Sequence, residues 1–189
     1  MTPDAHPPPL DAERILRVLD RHGVDHVVIG GVAVIAHGNP RATFDLDLIA
    51  APHRDNLERL GAALSDLNAR AAGVDAEHLS VDPTDPEHLA AGANWTLHTD
   101  GGRLDLFGDV PGGRPYEEVR ARAIRVEYGG MQVSIVGLDD LVRMKRAAGR
   151  PKDLADLAAL NLTEEDEVQR GLPGAEGSDG AEPSGSPPA

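Results

Sequence analysis

The 189-residue chain has no cysteine, and that absence removes several chemistries at once. A disulfide scaffold, a zinc–thiolate site, an iron–sulfur cluster and a cysteine nucleophile are all excluded. Aromatic residues are scarce, at 3%. Phe44, Trp95, Phe107, Tyr116 and Tyr128 are too dispersed for a base-stacking platform, so they are expected in the core. Long apolar runs are missing as well: nothing approaches the roughly 20 residues that a helix needs to cross a bilayer, and no membrane partner is expected. The opening MTPDAHPPPLDAE is acidic and proline-rich with no apolar centre, unlike a secretory leader, which makes a cytoplasmic location the expectation. Lysine is nearly absent. Only Lys145 and Lys152 stand among the 18 basic residues.

Acids, by contrast, are abundant, and the formal net charge is −14. Seven of them (Glu164, Glu165, Asp166, Glu167, Glu176, Asp179, Glu182) against one base, Arg170, put −6 on residues 164–189 and leave −8 on 1–163. A body of that sign is a poor general binder of nucleic acid, which is held by neutralising phosphates with Lys and Arg. Any such contact has to be local. Arg143, Lys145, Arg146, Arg150 and Lys152 form the one basic cluster available for it.

Composition divides the chain into three parts. Residues 1–9, with four prolines, read as a flexible N-terminus, and 10–163 as one folded unit without internal repeats. Residues 164–189 read as an acidic tail rich in Gly, Pro and Ser, with too little apolar surface to offset its ordering entropy.

Periodicity predicts the elements of the folded unit. Leu10, Ile15, Leu16 and Leu19 recur at helical spacing and stop at Gly23. HVVIGG (26–31) reads as a buried strand, 32–37 as a short helix, and Gly38-Asn39-Pro40 as a turn. Strands are predicted at 43–50, 94–99, 103–107, 124–128 and 131–136, and helices at 54–67, 115–122, 138–149 and 151–160. Strands mixed with helices in this order imply an α/β (α+β) domain: a mixed sheet flanked by helices, closing with a helical pair. Residues 68–95 carry no recognisable motif.

Asp45 and Asp47 are the most informative pair. Two apart on a strand, they share one face at about 7 Å, while Leu46 and Leu48 point the other way. Two like charges on one face gain no packing and repel. A hard divalent cation removes the conflict, since Mg²⁺ prefers carboxylate oxygens and substrate phosphates. Asp105, flanked by leucines in RLDLF, repeats the design on a second strand. If that strand lies beside 45–48, three carboxylates converge as phosphoryl transfer requires. The same alternation also suits acids that simply face solvent on a half-exposed sheet. Gly30-Gly31, at a strand end entering a helix, lets backbone N–H groups approach an anion; an ordinary tight turn has the same sequence.

Three segments together resemble a known group: VIGGVAVIAHG, PRATFDLDLIA, and GLDDLVRMKRAAGRPKDLADLAAL, with RLDLF between the last two. They are similar to the polymerase-beta-type nucleotidyltransferase superfamily, and more narrowly to small AbiEii/AbiGii-type, toxin-like nucleotidyltransferases. The resemblance runs over about residues 10–162. It implies the nucleotidyltransferase fold and an enzyme that moves a nucleoside monophosphate from a triphosphate to a hydroxyl, releasing pyrophosphate. Asp45, Asp47 and Asp105 would be catalytic metal ligands for Mg²⁺, with Mn²⁺ as the alternative. Lys145 would be catalytic, and Gly30, Gly31, Arg41, Thr43, Lys152 and Asp153 would bind nucleotide. The toxin-like resemblance points to an RNA acceptor such as a tRNA 3′ end, with a protein side chain or a small molecule such as an aminoglycoside as alternatives. The implied protein partner is a cognate antitoxin. The alternative is a non-catalytic nucleotide-binding or antitoxin-like module of the same fold.

Overall fold

A computed structural model describes residues 8–72 and 82–160. The expected tail at 164–189 and most of the expected flexible N-terminus lie outside those residues. The first helix, α1 (Ala12–Arg21), starts where the Asp11 carboxylate accepts the Arg14 N–H at 2.9 Å, and it ends before Gly23, whose φ is +64°. Next come β1 (His26–Ile29), α2 (Gly30–Ala36), β2 (Asp45–Ala50) and α3 (Arg54–Asp66). The middle of the chain holds β3 (Arg70–Ala71), α4 (Pro86–Ala90), β4 (Trp95–Thr99) and β5 (Gly102–Leu106). The remainder is α5 (Tyr116–Arg122), β6 (Ile124–Tyr128), β7 (Met131–Ile135), α6 (Leu138–Ala148) and α7 (Pro151–Ala159).

The seven strands form one mixed sheet in the order β3-β4-β5-β2-β1-β7-β6. Two parallel pairings sit at its centre, β2 with β5 and β1 with β7; the other neighbours run antiparallel. Alternation sorts the faces of β2. Leu46 and Leu48 are buried in the core with Leu104 of β5 and with Ile15, Leu19 and Leu64 from α1 and α3. Asp45 and Asp47 are left on the opposite face, where α2 lies against β1 and β2, α6 packs on α2, and α7 packs on α6. None of the described helices is long and apolar enough to cross a membrane.

The α/β class and the closing helical pair are as expected, with three differences. β1 stops at Ile29, and Gly30 and Gly31 already belong to α2. β3 and α4, in the stretch without motifs, were not predicted: β3 is two residues long, too short to show alternation. The aromatic residues are the third. Trp95, Phe107 and Tyr116 pack against the core, but Phe44 is 81% exposed and Tyr128 is 44% exposed. Phe44 precedes the paired part of β2 and so finds no neighbouring strand to cover it, while Tyr128 ends β6 at the sheet's edge.

Candidate active site

Parallel pairing of β2 with β5 places Asp47 directly opposite Asp105. Asp45 is two residues earlier on the same face. Each of the three acids offers an oxygen within 4.8 Å of the others'. This convergence was conditional in the sequence, because no local pattern reveals which strands are neighbours. It is now a property of the sheet.

The cluster carries an unrelieved electrostatic conflict. Burial first, then the neighbouring Asp45 and Asp105 charges, push the Asp47 carboxyl up to about 6; the Gly31 N–H and the Lys152 charge oppose them. Asp105 has a different neighbour. Arg103, two residues before it on the same face of β5, donates to both its oxygens, from Nε at 3.1 Å and from an Nη at 2.8 Å. Sequence reasoning missed Arg103, although the Arg-x-Asp spacing on a strand was the signal for it. An all-carboxylate oxygen set at this separation, with one member's carboxyl raised to about 6 by burial and by the neighbouring acids, fits a hard divalent cation.

The glycine pair has two separate geometric reasons. Gly30 has φ +61°, and a Cβ there would run into the Asp47 carboxylate. At Gly31 a Cβ would lie 2.5 Å from Thr43 Oγ1 and 2.8 Å from an Arg41 Nη. The Gly31 N–H itself donates to Asp47 at 3.3 Å. Thr43 donates its hydroxyl to the Asp45 backbone carbonyl at 3.2 Å and to its carboxylate at 3.3 Å. Absent side chains thus bring the 41–43 segment and the acid strand together.

On the far side, α6 and α7 contribute a buried ion network. Lys145 Nζ lies 2.9 Å from Asp153 and 2.7 Å from Asp156, and all three side chains are at most 6% exposed. Arg150 adds a 2.6 Å bond to Asp153, and Arg41 reaches Asp156 at 2.9 Å. Burial by itself would raise Asp153, but hydrogen bonds from Arg150 and Lys145 outweigh it and hold the carboxyl below its ordinary value. Asp156 was not foreseen; its place three residues after Asp153, on the same helix face, was the available signal. Lys152 is exposed, and no hydrogen bond or ion pair occupies its ammonium among the described residues. The basic run of the sequence is therefore divided, with Lys145 and Arg150 engaged by acids rather than spread as a cationic surface.

All of the expected site residues except Asp105 border one cavity of ≈ 500 Å³ between the acid strand and α6–α7. Phe44 stands at the same cavity.

No protein-family model matches the chain, and no curated protein matches it in sequence. Solved structures do match. The lincosamide antibiotic adenylyltransferase LnuA, bound to lincomycin, superposes with a TM-score of 0.54 at 12% identity, over 81% of this chain and 98% of that one. The antibiotic-resistance factor ANT(2'')-Ia, in its solution structure, gives 0.53 at 16% identity, over 85% and 87%. An antigenic nucleotidyltransferase-like protein from Paracoccidioides brasiliensis gives 0.50 at 16%, over 81% and 76%. At such identities the likeness is one of architecture, and it says that this chain has the nucleotidyltransferase fold.

Proposed function

We propose that this protein is a Mg²⁺-dependent nucleotidyltransferase that moves a nucleoside monophosphate from a nucleoside triphosphate to a hydroxyl acceptor. One observation carries the reading: three carboxylates meet on paired strands beside a cation-bordered cavity large enough for a nucleotide. The nucleotidyltransferase fold and the adenylyltransferases that share it support the same chemistry.

Asp45, Asp47 and Asp105 would hold Mg²⁺, or Mn²⁺ in its place. The bound metal supplies charge neutralisation at the phosphates and polarises the reacting phosphorus. The residues around it bind and orient. Lys152, with its free ammonium, and the outer edges of Arg41 and Arg150 meet the triphosphate, while Gly30, Gly31 and Thr43 form the cavity wall beside it. Lys145 and Asp153 act one step back. Lys145 fixes Asp153 and Asp156, which in turn aim Arg150 and Arg41 at the cavity. Phe44 offers its exposed ring to the nucleobase. In the transfer, the acceptor oxygen bonds to the α-phosphorus and the bond to the bridging oxygen breaks. Pyrophosphate leaves with that electron pair, and the hydroxyl proton passes to Asp105.

The test is transfer of label from α-³²P nucleoside triphosphates, with Mg²⁺, to total RNA, protein and small alcohols. Asp47→Ala abolishes transfer on this reading, and Asp105→Asn lowers kcat by about 10²- to 10⁴-fold, the usual contribution of a general base. Triphosphate binding without transfer to any acceptor indicates the non-catalytic module instead. The motif resemblance to AbiEii/AbiGii-type proteins makes a tRNA 3′ end one acceptor to try and a neighbouring-gene antitoxin one partner to try.

A further inference from the structure

A second cavity, of ≈ 380 Å³, shares Phe107, Val110 and Met144 with the first. Strand pairing explains why it begins beside the acids. Ile49 follows Asp47, and Phe107 follows Asp105, each on the same strand face, and the Phe107 N–H continues the ladder by donating to Leu48 at 2.9 Å. The second cavity therefore starts one side-chain step, about 7 Å, beyond the carboxylates. Its deeper wall is apolar, built from Leu57 and Leu60 of α3, Leu89 of α4, and Leu106. Trp95 also borders it, and its indole N–H is buried with no hydrogen-bond partner.

The charges at this cavity exclude a polyanion. Its single arginine, Arg114, already pairs with Asp140 at 3.1 Å and with Glu118 at 3.5 Å. Asp109, exposed on the same wall, keeps a carboxylate with no partner among the described residues. A chain of phosphates would meet a free negative charge and no free positive one, whereas a cationic amine would meet its complement.

We propose that the acceptor is a small amine-bearing alcohol with an apolar ring body, seated in this second cavity with its hydroxyl towards Asp105. This rests on the nucleotidyl-transfer reading above. The ring lies among the leucines and Phe107, and the amine faces Asp109. The product is a nucleoside monophosphate ester of that alcohol, with pyrophosphate released and the hydroxyl proton given up to Asp105.

Trp95 is the sole tryptophan of the chain, so its fluorescence reports on this cavity alone. Phenylalaninol is the probe, with the neutral 3-phenylpropan-1-ol as its comparison, each titrated to about 10 mM, where a millimolar affinity saturates. The expected result is a saturable change, with phenylalaninol binding about fivefold tighter and Asp109→Asn removing the difference. Ala93→Phe fills the cavity from an exposed wall position and abolishes the change; an unaltered Tm shows that the variant folds. In parallel, α-³²P ATP, GTP, CTP and UTP with Mg²⁺ are offered phenylalaninol and total RNA. Label on phenylalaninol that is lost in Ala93→Phe supports the proposal. Label on RNA, equal in the parent and Ala93→Phe, overturns the acceptor class while leaving nucleotidyl transfer intact. A fluorescence response with no label on any acceptor overturns the transfer reading and leaves only a ligand cavity. No fluorescence response overturns the proposal outright.

Discussion

Asp47 holds its proton in the fold up to about pH 6, whereas the unfolded chain releases it near 3.8. Below that window its contribution is fully present, and it is lost as pH rises through it, so the metal-free protein becomes less stable between about pH 4 and 6. The difference corresponds to at most about 3 kcal/mol. Asp47→Asn should therefore raise Tm in EDTA at pH 8 and leave it unchanged near pH 4, and on the proposed function added Mg²⁺ should raise the Tm of the parent but not of the variant. A Tm unchanged at both pH values would contradict the electrostatic conflict described for this cluster. Phe44 gives a residue-scale prediction of another kind. Its ring packs on nothing that folding needs, so Phe44→Ala should leave Tm alone and weaken nucleotide binding by about 1–3 kcal/mol, measured by calorimetry. The acid pair was legible because strand alternation is a local rule. Phe44 was misjudged because exposure depends on whether a neighbouring strand covers the position, which a local pattern does not record.

At the scale of elements, the α6–α7 pair owes its geometry to charges buried between two helices. Lys145 is one cation between Asp153 and Asp156, and removing it leaves two acids with only the partial company of Arg150 and Arg41. Lys145→Met should destabilise the protein by about 3–5 kcal/mol, read as a lower urea midpoint. Loss of activity in that variant would consequently report on folding as well as on the site, and a Lys145→Met, Asp156→Leu double variant should recover part of the midpoint. Gly30 belongs to this scale too: Gly30→Ala combines an unfavourable backbone region with a collision against Asp47, and it should cost more than the ordinary 1 kcal/mol or so of a helix substitution. The helices themselves were readable from apolar spacing, and the turn glycines from their neighbours. The ion network was not. Lys145 and Arg150 belonged to a basic cluster in the sequence, and only the packing of α7 on α6 turns Asp153 and Asp156 towards Lys145.

For the whole molecule, a net charge of −14 and a basic run in which Lys145 and Arg150 are taken up by internal ion pairs leave little to attract phosphates at long range. Non-specific RNA binding should be undetectable by filter retention at physiological salt, and it should stay weak when the salt is lowered, because few counterions would be released. Strong retention that falls steeply with salt would contradict this charge argument. The sheet order is a property at this scale. Strands β2 and β5 are separated by more than fifty residues, yet their pairing creates the triad.

Read alone, the amino-acid sequence determined the elements that follow short-range rules: strand alternation, helical spacing, turn glycines, and the same-face placement of Asp45 with Asp47. It also set the acidic charge and the exclusion of thiol chemistry. Tertiary structure decided what depends on neighbours distant in the chain: Asp105 opposite Asp47, Arg103 turned onto Asp105, Lys145 buried between two acids, and a second apolar cavity adjoining the first. The physical reason is range. Periodicity records which way a side chain points from its own backbone, whereas charge pairing and cavities arise only when separate segments pack together.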